Sequence, residues 1–174
     1  WLQVAGWGSL VWYALACCYQ QIPSADLWWL LADGQWIAQQ GAIPQEEPFS
    51  WTFPGHPWHN DQWLTAWLFF SIHSLFGLSG LHLLKACLLS LSIGLALQPA
   101  ARKLGKNNWP ILGAALLLAL GCSEARYFFD VRAYLFTYLF LVLLWRWLQH
   151  SEKLSYARVV GLFVLWSNLH GGVS

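Results

Sequence analysis

Long apolar runs separated by short polar ones dominate the pattern of this 174-residue chain. Five runs approach the ~17–25 apolar residues that a spanning helix needs, over residues 1–19, 80–101, 109–126, 133–148 and 156–169. A sixth, 64–76, has 13 residues. As a helix it would reach only ~20 Å against a hydrocarbon core of ~30 Å, so it is expected to lie in the interface. The pattern predicts an all-α fold, a polytopic transmembrane helix bundle formed as a single membrane domain over residues 1–174. An outer loop, 20–79, would carry amphipathic interfacial helices at 24–41 and 62–77.

The first of these helices has both ends marked in the sequence. Pro23 and Ser24 form an N-terminal stop and cap with Asp26 in the first turn, and Gly41 and then Pro44 close the other end. Asp26 and Asp33 stand seven residues apart, which places both carboxylates on one face about 10 Å from each other. Trp29 and Trp36 repeat that spacing on another face.

Composition narrows the class. Apolar residues make up 57% and charged residues 10%, against ~45–50% and ~25% in soluble domains. A water-soluble enzyme domain is excluded on that balance, and a net charge of +1 gives no reason to expect nucleic acid. Partners are to be sought in the lipid bilayer, where the 14 Trp residues fit the headgroup level. Cys17, Cys18, Cys87 and Cys122 form no CxxC pair and have no His at ligand spacing, so no metal site is expected from them. The first run lacks a basic flank and reads as an uncleaved anchor rather than a signal peptide. A start without Met and a stop just past an apolar run predict a longer native chain.

Charge sets the expected orientation. Arg102, Lys103 and Lys106 cluster without an acid, and Arg146, Lys153 and Arg158 have only Glu152 among them; both groups belong on the cytoplasmic side. Residues 20–63 hold no Lys or Arg but carry Asp26, Asp33, Glu46, Glu47 and Asp61. That stretch belongs outside, together with 124–132, and the N-terminus inside. Within it, EEPFSWTFPGHPWHNDQW has Pro48, Pro54 and Pro57, which forbid a regular helix and gather Glu46, Glu47, His56, His59 and Asp61 into one aromatic-rich loop. The plainer reading is a solvated acidic face with a belt of Trp.

DLWWLLADGQWIAQQGAIP followed by EPFSWTFPGHPWHNDQWL resembles the first outer loop of bacterial multi-span proteins of the GT-C superfamily, the polyprenyl-phosphate-sugar-dependent glycosyltransferases related to protein mannosyltransferases. VRAYLFTYLFL and WSNLHGG resemble later stretches of the same proteins. The resemblance implies a multi-pass protein of the bacterial inner membrane that takes a sugar from a polyprenyl-phosphate lipid. It maps an essential acid of the first outer loop onto Asp26. Such an acid takes a proton from an acceptor hydroxyl or helps to bind a divalent cation that steadies the phosphate. Three positions depart from the pattern: Leu30 stands for a His, Glu47 for an Asp and Gln62 for a Glu. Gln62 can neither act as a base nor bind metal as a carboxylate; Asp61 stands beside it.

The candidate catalytic residues are therefore Asp26, Asp61 and His59. Lys85 and His82, three apart on one face of a span, and Arg132 and Arg126, with guanidinium forks suited to phosphate oxygens, are candidates for the lipid phosphate. Asn168, His170 and Glu47 are candidates for substrate binding, the first two ahead of the flexible pair Gly171 and Gly172. Each has a plainer reading. Lys85 can snorkel, Arg126 and Arg132 can pair with Glu124 and Asp130, and Asn168 and His170 can cap a helix. Three functions compete: a glycosyltransferase, a non-catalytic scaffold or accessory subunit of the same fold working with other membrane subunits, and a haem- or pigment-binding subunit using His73, His82 or His170. The last lacks a pair of His at facing positions on two spans.

Overall fold

The computed structural model describes Gly8 and residues 24–104, 130–149 and 155–171, with side chains of 100–104 excepted. The expected spans at 1–19 and 109–126, and Arg126 with them, lie outside the described residues. Among the described residues the chain is helical, with α1 at Ala25–Gln40, α2 at Trp63–Leu104, α3 at Tyr134–Leu148 and α4 at Tyr156–Leu169. The chain divides into two compact units, one of residues 1–24 and 82–153, the other of 25–81 and 154–174.

In the second unit α1 begins directly after Ser24 and ends at Gly41, whose φ of 65° and N–H bond to the Ile37 carbonyl make a left-handed stop. Leu27, Leu30, Leu31, Gly34 and Ile37 are buried along one stripe at helical spacing. Asp33 is buried with them, whereas Asp26 is exposed. The shared face expected for the two acids therefore gives them opposite environments. Asp26 sits in the first turn, ahead of the place where the start of α2 crosses α1. At that crossing a Cβ on Gly34 would stand 2.6 Å from Phe70 Cβ and closer still to the Ala66 carbonyl oxygen.

α2 is interrupted at Gly77, with φ 63° and ψ −159°, a conformation open essentially to glycine alone. The break falls between residues 76 and 80, where the apolar pattern ends one segment and starts the next. Trp63–Pro99 is, among the described residues, the one helix long and apolar enough to cross a membrane, and its part beyond Gly77 reaches roughly 33 Å by itself. α3 and α4, with 15 and 14 residues, reach only about 21–23 Å. The described chain is thus all-helical with one helix of spanning length.

Pro99 lies inside α2 and has no N–H to give to the carbonyl four residues back, Leu95. Arg146 of α3 supplies it: its Nη1 donates to the Leu95 oxygen at 2.9 Å. Leu95 is half-buried, so leaving its carbonyl without a partner costs toward the low end of the ~1–3 kcal/mol of a buried orphan. Arg146→Met is therefore expected to destabilise by that order, and to cost much less in a Pro99→Ala background, where the helix bond can re-form. Denaturant midpoints of the two single variants and the double variant would measure the coupling, and additive effects would refute this pairing.

Apolar side chains face outward along much of the chain. On α4, Leu162, Trp166 and Leu169 are buried while Val160, Phe163, Val164 and Leu165 are exposed. Leu75, Phe76, Leu83 and Leu91 of α2 and Leu141 and Trp145 of α3 are exposed as well.

Candidate functional site

The segment joining α1 to α2 folds as a short antiparallel excursion rather than an open loop. Glu47 N–H donates to the His56 carbonyl at 2.8 Å and Trp58 N–H to that of Gln45 at 2.9 Å, and Gly55 turns the chain with φ 74°. Phe49 packs edge-on against both Trp29 and Trp58, at ring distances of 5.2 and 6.4 Å. Glu47 is used within this fold, its Oε1 accepting the Phe49 N–H at 2.9 Å. Beyond that aromatic cluster Trp51 is 91% exposed.

Asp33 is the most deeply buried acid among the described residues, at 2% exposure. One carboxyl oxygen, Oδ2, accepts from Asn60 Nδ2 at 2.7 Å; the other, Oδ1, is buried without a hydrogen-bond partner among the described residues. Burial raises its pKa above the usual carboxylate value, the Asn60 bond opposes that rise and the charge of Glu47 adds to it.

Asn60 works in two directions. Its Nδ2 reaches Asp33, and its Oδ1 accepts the Gln62 N–H at 3.3 Å, closing a tight turn around Asp61. The Gln62 carbonyl then accepts the Ala66 N–H at 2.9 Å and starts α2. Onto this start docks the C-terminal end of α4. Thr65 Oγ1 donates to the Leu169 carbonyl at 2.6 Å and Trp63 Nε1 to Asn168 Oδ1 at 2.8 Å, while Asn168 Nδ2 donates back to Val164 at 2.7 Å. The connection leaves His170 half-buried, and the Asp61 carboxylate packs against Gly171 so closely that a Cβ there has no room. Burial lowers the His170 pKa below its usual 6.5, and the negative charge of Asp61 partly restores it. The result is an imidazole that is mostly neutral near pH 7 and sits in the field of a carboxylate.

Of the residues expected to act, the structure brings Asp61, Asn168 and His170 to one corner of the second unit. Asp26, exposed in the first turn of α1, and His59, exposed just before the Asn60 turn, belong to the same unit. Lys85, His82 and Arg132 belong to the first unit. Lys85 is 4% exposed, on the buried stripe of α2 with Leu88, Leu89 and Ser92, so it does not snorkel outward. Arg132 Nε donates to Ser24 Oγ at 3.1 Å and stands 3.9 Å from Asp130 Oδ2. His73 is half-buried on the first part of α2. Among the described residues no group of three or more His, Cys, Asp or Glu is placed to hold a metal ion.

No protein-family model, curated protein or solved structure matches this chain. Its chemistry is therefore read from its own residues. Sequence reasoning did not single out Asn60, Trp63 or Thr65, which carry the contacts that assemble the corner, and it valued Asp33 only as a companion of Asp26. The available signal was positional: Asp33 falls between Leu30 and Ile37 on the apolar stripe of α1, where a solvated acid does not belong.

Proposed function

We propose that this chain is a glycosyltransferase-like protein of the membrane, transferring a sugar from a polyprenyl-phosphate donor to an acceptor hydroxyl on the outer side. The observation that carries the reading is the Asp61–His170 pair, a neutral imidazole in the field of a carboxylate at the end of the WSNLHGG stretch. Outward-facing Leu, Val, Phe and Trp on α2, α3 and α4 support a lipid environment, and multiple spans follow from the apolar runs. Arg146 on Leu95 ties the basic end of α3 to the end of α2 that precedes Arg102 and Lys103, in keeping with one cytoplasmic side for these charges.

In this reading His170 takes the proton of the acceptor hydroxyl and Asp61 favours the imidazolium that results. The acceptor oxygen bonds to the anomeric carbon as the bond from that carbon to the phosphate oxygen breaks, and the electron pair leaves on polyprenyl phosphate. Asp26, exposed in the first turn of α1 and mapped onto an essential acid by the GT-C resemblance, is the second carboxylate assigned a role toward the acceptor or a divalent cation. Sugar transfer from a polyprenyl-phosphate sugar is to be measured in proteoliposomes for the full chain, Asp26→Asn and Asp61→Asn. Each variant is expected to lose about 10²-fold or more. A wild-type chain without transfer refutes the proposal, and an Asp26→Asn variant at the wild-type rate removes Asp26 from its role.

A second reading, a non-catalytic accessory subunit, is favoured by the bare aromatics Trp51 and Phe53, which suit a protein or lipid partner, and by Leu30 and Gln62. Purification with a stoichiometric membrane partner and no bound polyprenyl lipid would support it over the first.

A further inference from the structure

The least expected group in the second unit is the carboxyl of Asp33. It occupies a position on the buried stripe of α1 that Leu or Ile would fill at lower cost, and one of its oxygens has no partner among the described residues. A buried unsatisfied acceptor is unfavourable, so the residue brings the fold an expense that an apolar side chain would not. What it provides is a fixed acceptor for Asn60, at 2.7 Å, and Asn60 is the side chain that closes the turn around Asp61 through the Gln62 N–H.

We propose that Asp33 is a positioning residue: by anchoring Asn60 from within the core, it holds the 60–62 turn so that the Asp61 carboxylate stays against Gly171 and in electrostatic reach of His170. This rests on the reading of Asp61 and His170 as the reacting pair. The chain of contacts runs from Asp33 Oδ2 to Asn60 Nδ2, from Asn60 Oδ1 to the Gln62 N–H, and across the turn to Asp61 and Gly171. Asp61 is itself exposed. An exposed carboxylate ordinarily samples several rotamers on a mobile loop; here its backbone is pinned from below and its side chain meets a residue with no Cβ. A burial site for the anchor makes the pin rigid, since α1 is fixed at the same level by the Gly34 crossing.

The test reads the His170 titration directly. The full chain is labelled at histidine ring carbons and followed by NMR against pH, with His170→Gln to assign the signal. Asp61→Asn is expected to lower the His170 pKa, because the charge that raises it is gone. Asn60→Ala and Asp33→Leu are expected to lower it in the same direction, because Asp61 is no longer held nearby. Asp33→Asn, which keeps an oxygen for Asn60 and the side-chain volume, is expected to titrate like wild type. In the transfer assay the first two anchor variants should lose about 10²-fold in kcat with little change in KM, the loss typical of a ~1 Å displacement. A His170 titration unchanged by Asn60→Ala while shifted by Asp61→Asn overturns the positioning role. Should Asp33→Leu fail to fold, Asn60→Ala, altered outside the core, decides the matter. If Asp61→Asn leaves His170 unmoved, the pair itself is refuted and the anchor with it. Absence of transfer in every form, with the titrations as expected, refutes the glycosyltransferase reading and leaves the anchor standing.

Discussion

Replacing His170 with alanine is expected to lower sugar transfer by about 10²–10⁴-fold, the range that a positioned general base contributes, with the helical fold retained. The side chain is half-buried and follows the last residue of α4. The docking of α4 is carried by Asn168, by the Leu169 carbonyl and by Trp166 in the core, none of which the substitution removes. The pH profile gives the sign. Burial favours the neutral ring, so the wild-type rate should fall as pH drops through the lowered His170 pKa, with its acid limb at lower pH than an ordinary imidazole would give. In Asp61→Asn the limb should move to lower pH, because the imidazolium loses its countercharge. Both profiles are measured as transfer rate against pH in proteoliposomes. An acid limb that ignores Asp61, or a His170→Ala variant with the wild-type rate, would exclude this residue as the base.

The second large effect is on stability. Gly34→Val is expected to destabilise the second unit by about 3 kcal/mol or more, because the added carbon meets the Ala66 carbonyl, which is backbone and cannot swing away. Accommodation requires α1 and the first part of α2 to separate, and that would lift Leu27, Leu30, Leu31 and Ile37 from their contacts. The Asn60 bond to Asp33 next to the crossing should loosen at the same time. Urea midpoints followed by Trp fluorescence in detergent would measure the loss. A midpoint equal to wild type would show that the two helices do not approach as closely as described.

Much of the helical layout is legible in the linear pattern. Gly41 closes α1 because a residue free to adopt positive φ is a local requirement, while the hydroxyl of Ser24, the expected cap just ahead of α1, accepts from Arg132. The end of one apolar segment at Phe76 and the start of the next at Gly80 foretell the interruption at Gly77 for the same reason. The three prolines of 48–57 exclude a helix there, as found. The contents of the site were less legible. Asp26 and Asp33 are equivalent by spacing, and periodicity is blind to which turn of a helix another segment covers. Glu47, a candidate substrate ligand by sequence, also closes a local backbone turn through one carboxyl oxygen, a contact that spacing does not reveal. Lys85 looked able to snorkel and is buried.

By itself, then, the sequence determined the helical class, the ends of α1 and the position of the break in α2, together with the charge asymmetry that argues for an outer loop. These are short-range matters of dihedral freedom, capping and apolar periodicity, each settled within a few residues. Only the tertiary structure decided that Asp33 is buried and Asp26 is not, that Arg146 serves the carbonyl which Pro99 leaves open, and that Asp61 meets Gly171 and exerts its charge on His170 across more than 100 residues of chain. Those outcomes depend on which surfaces come together and exclude water, and no local pattern carries that information.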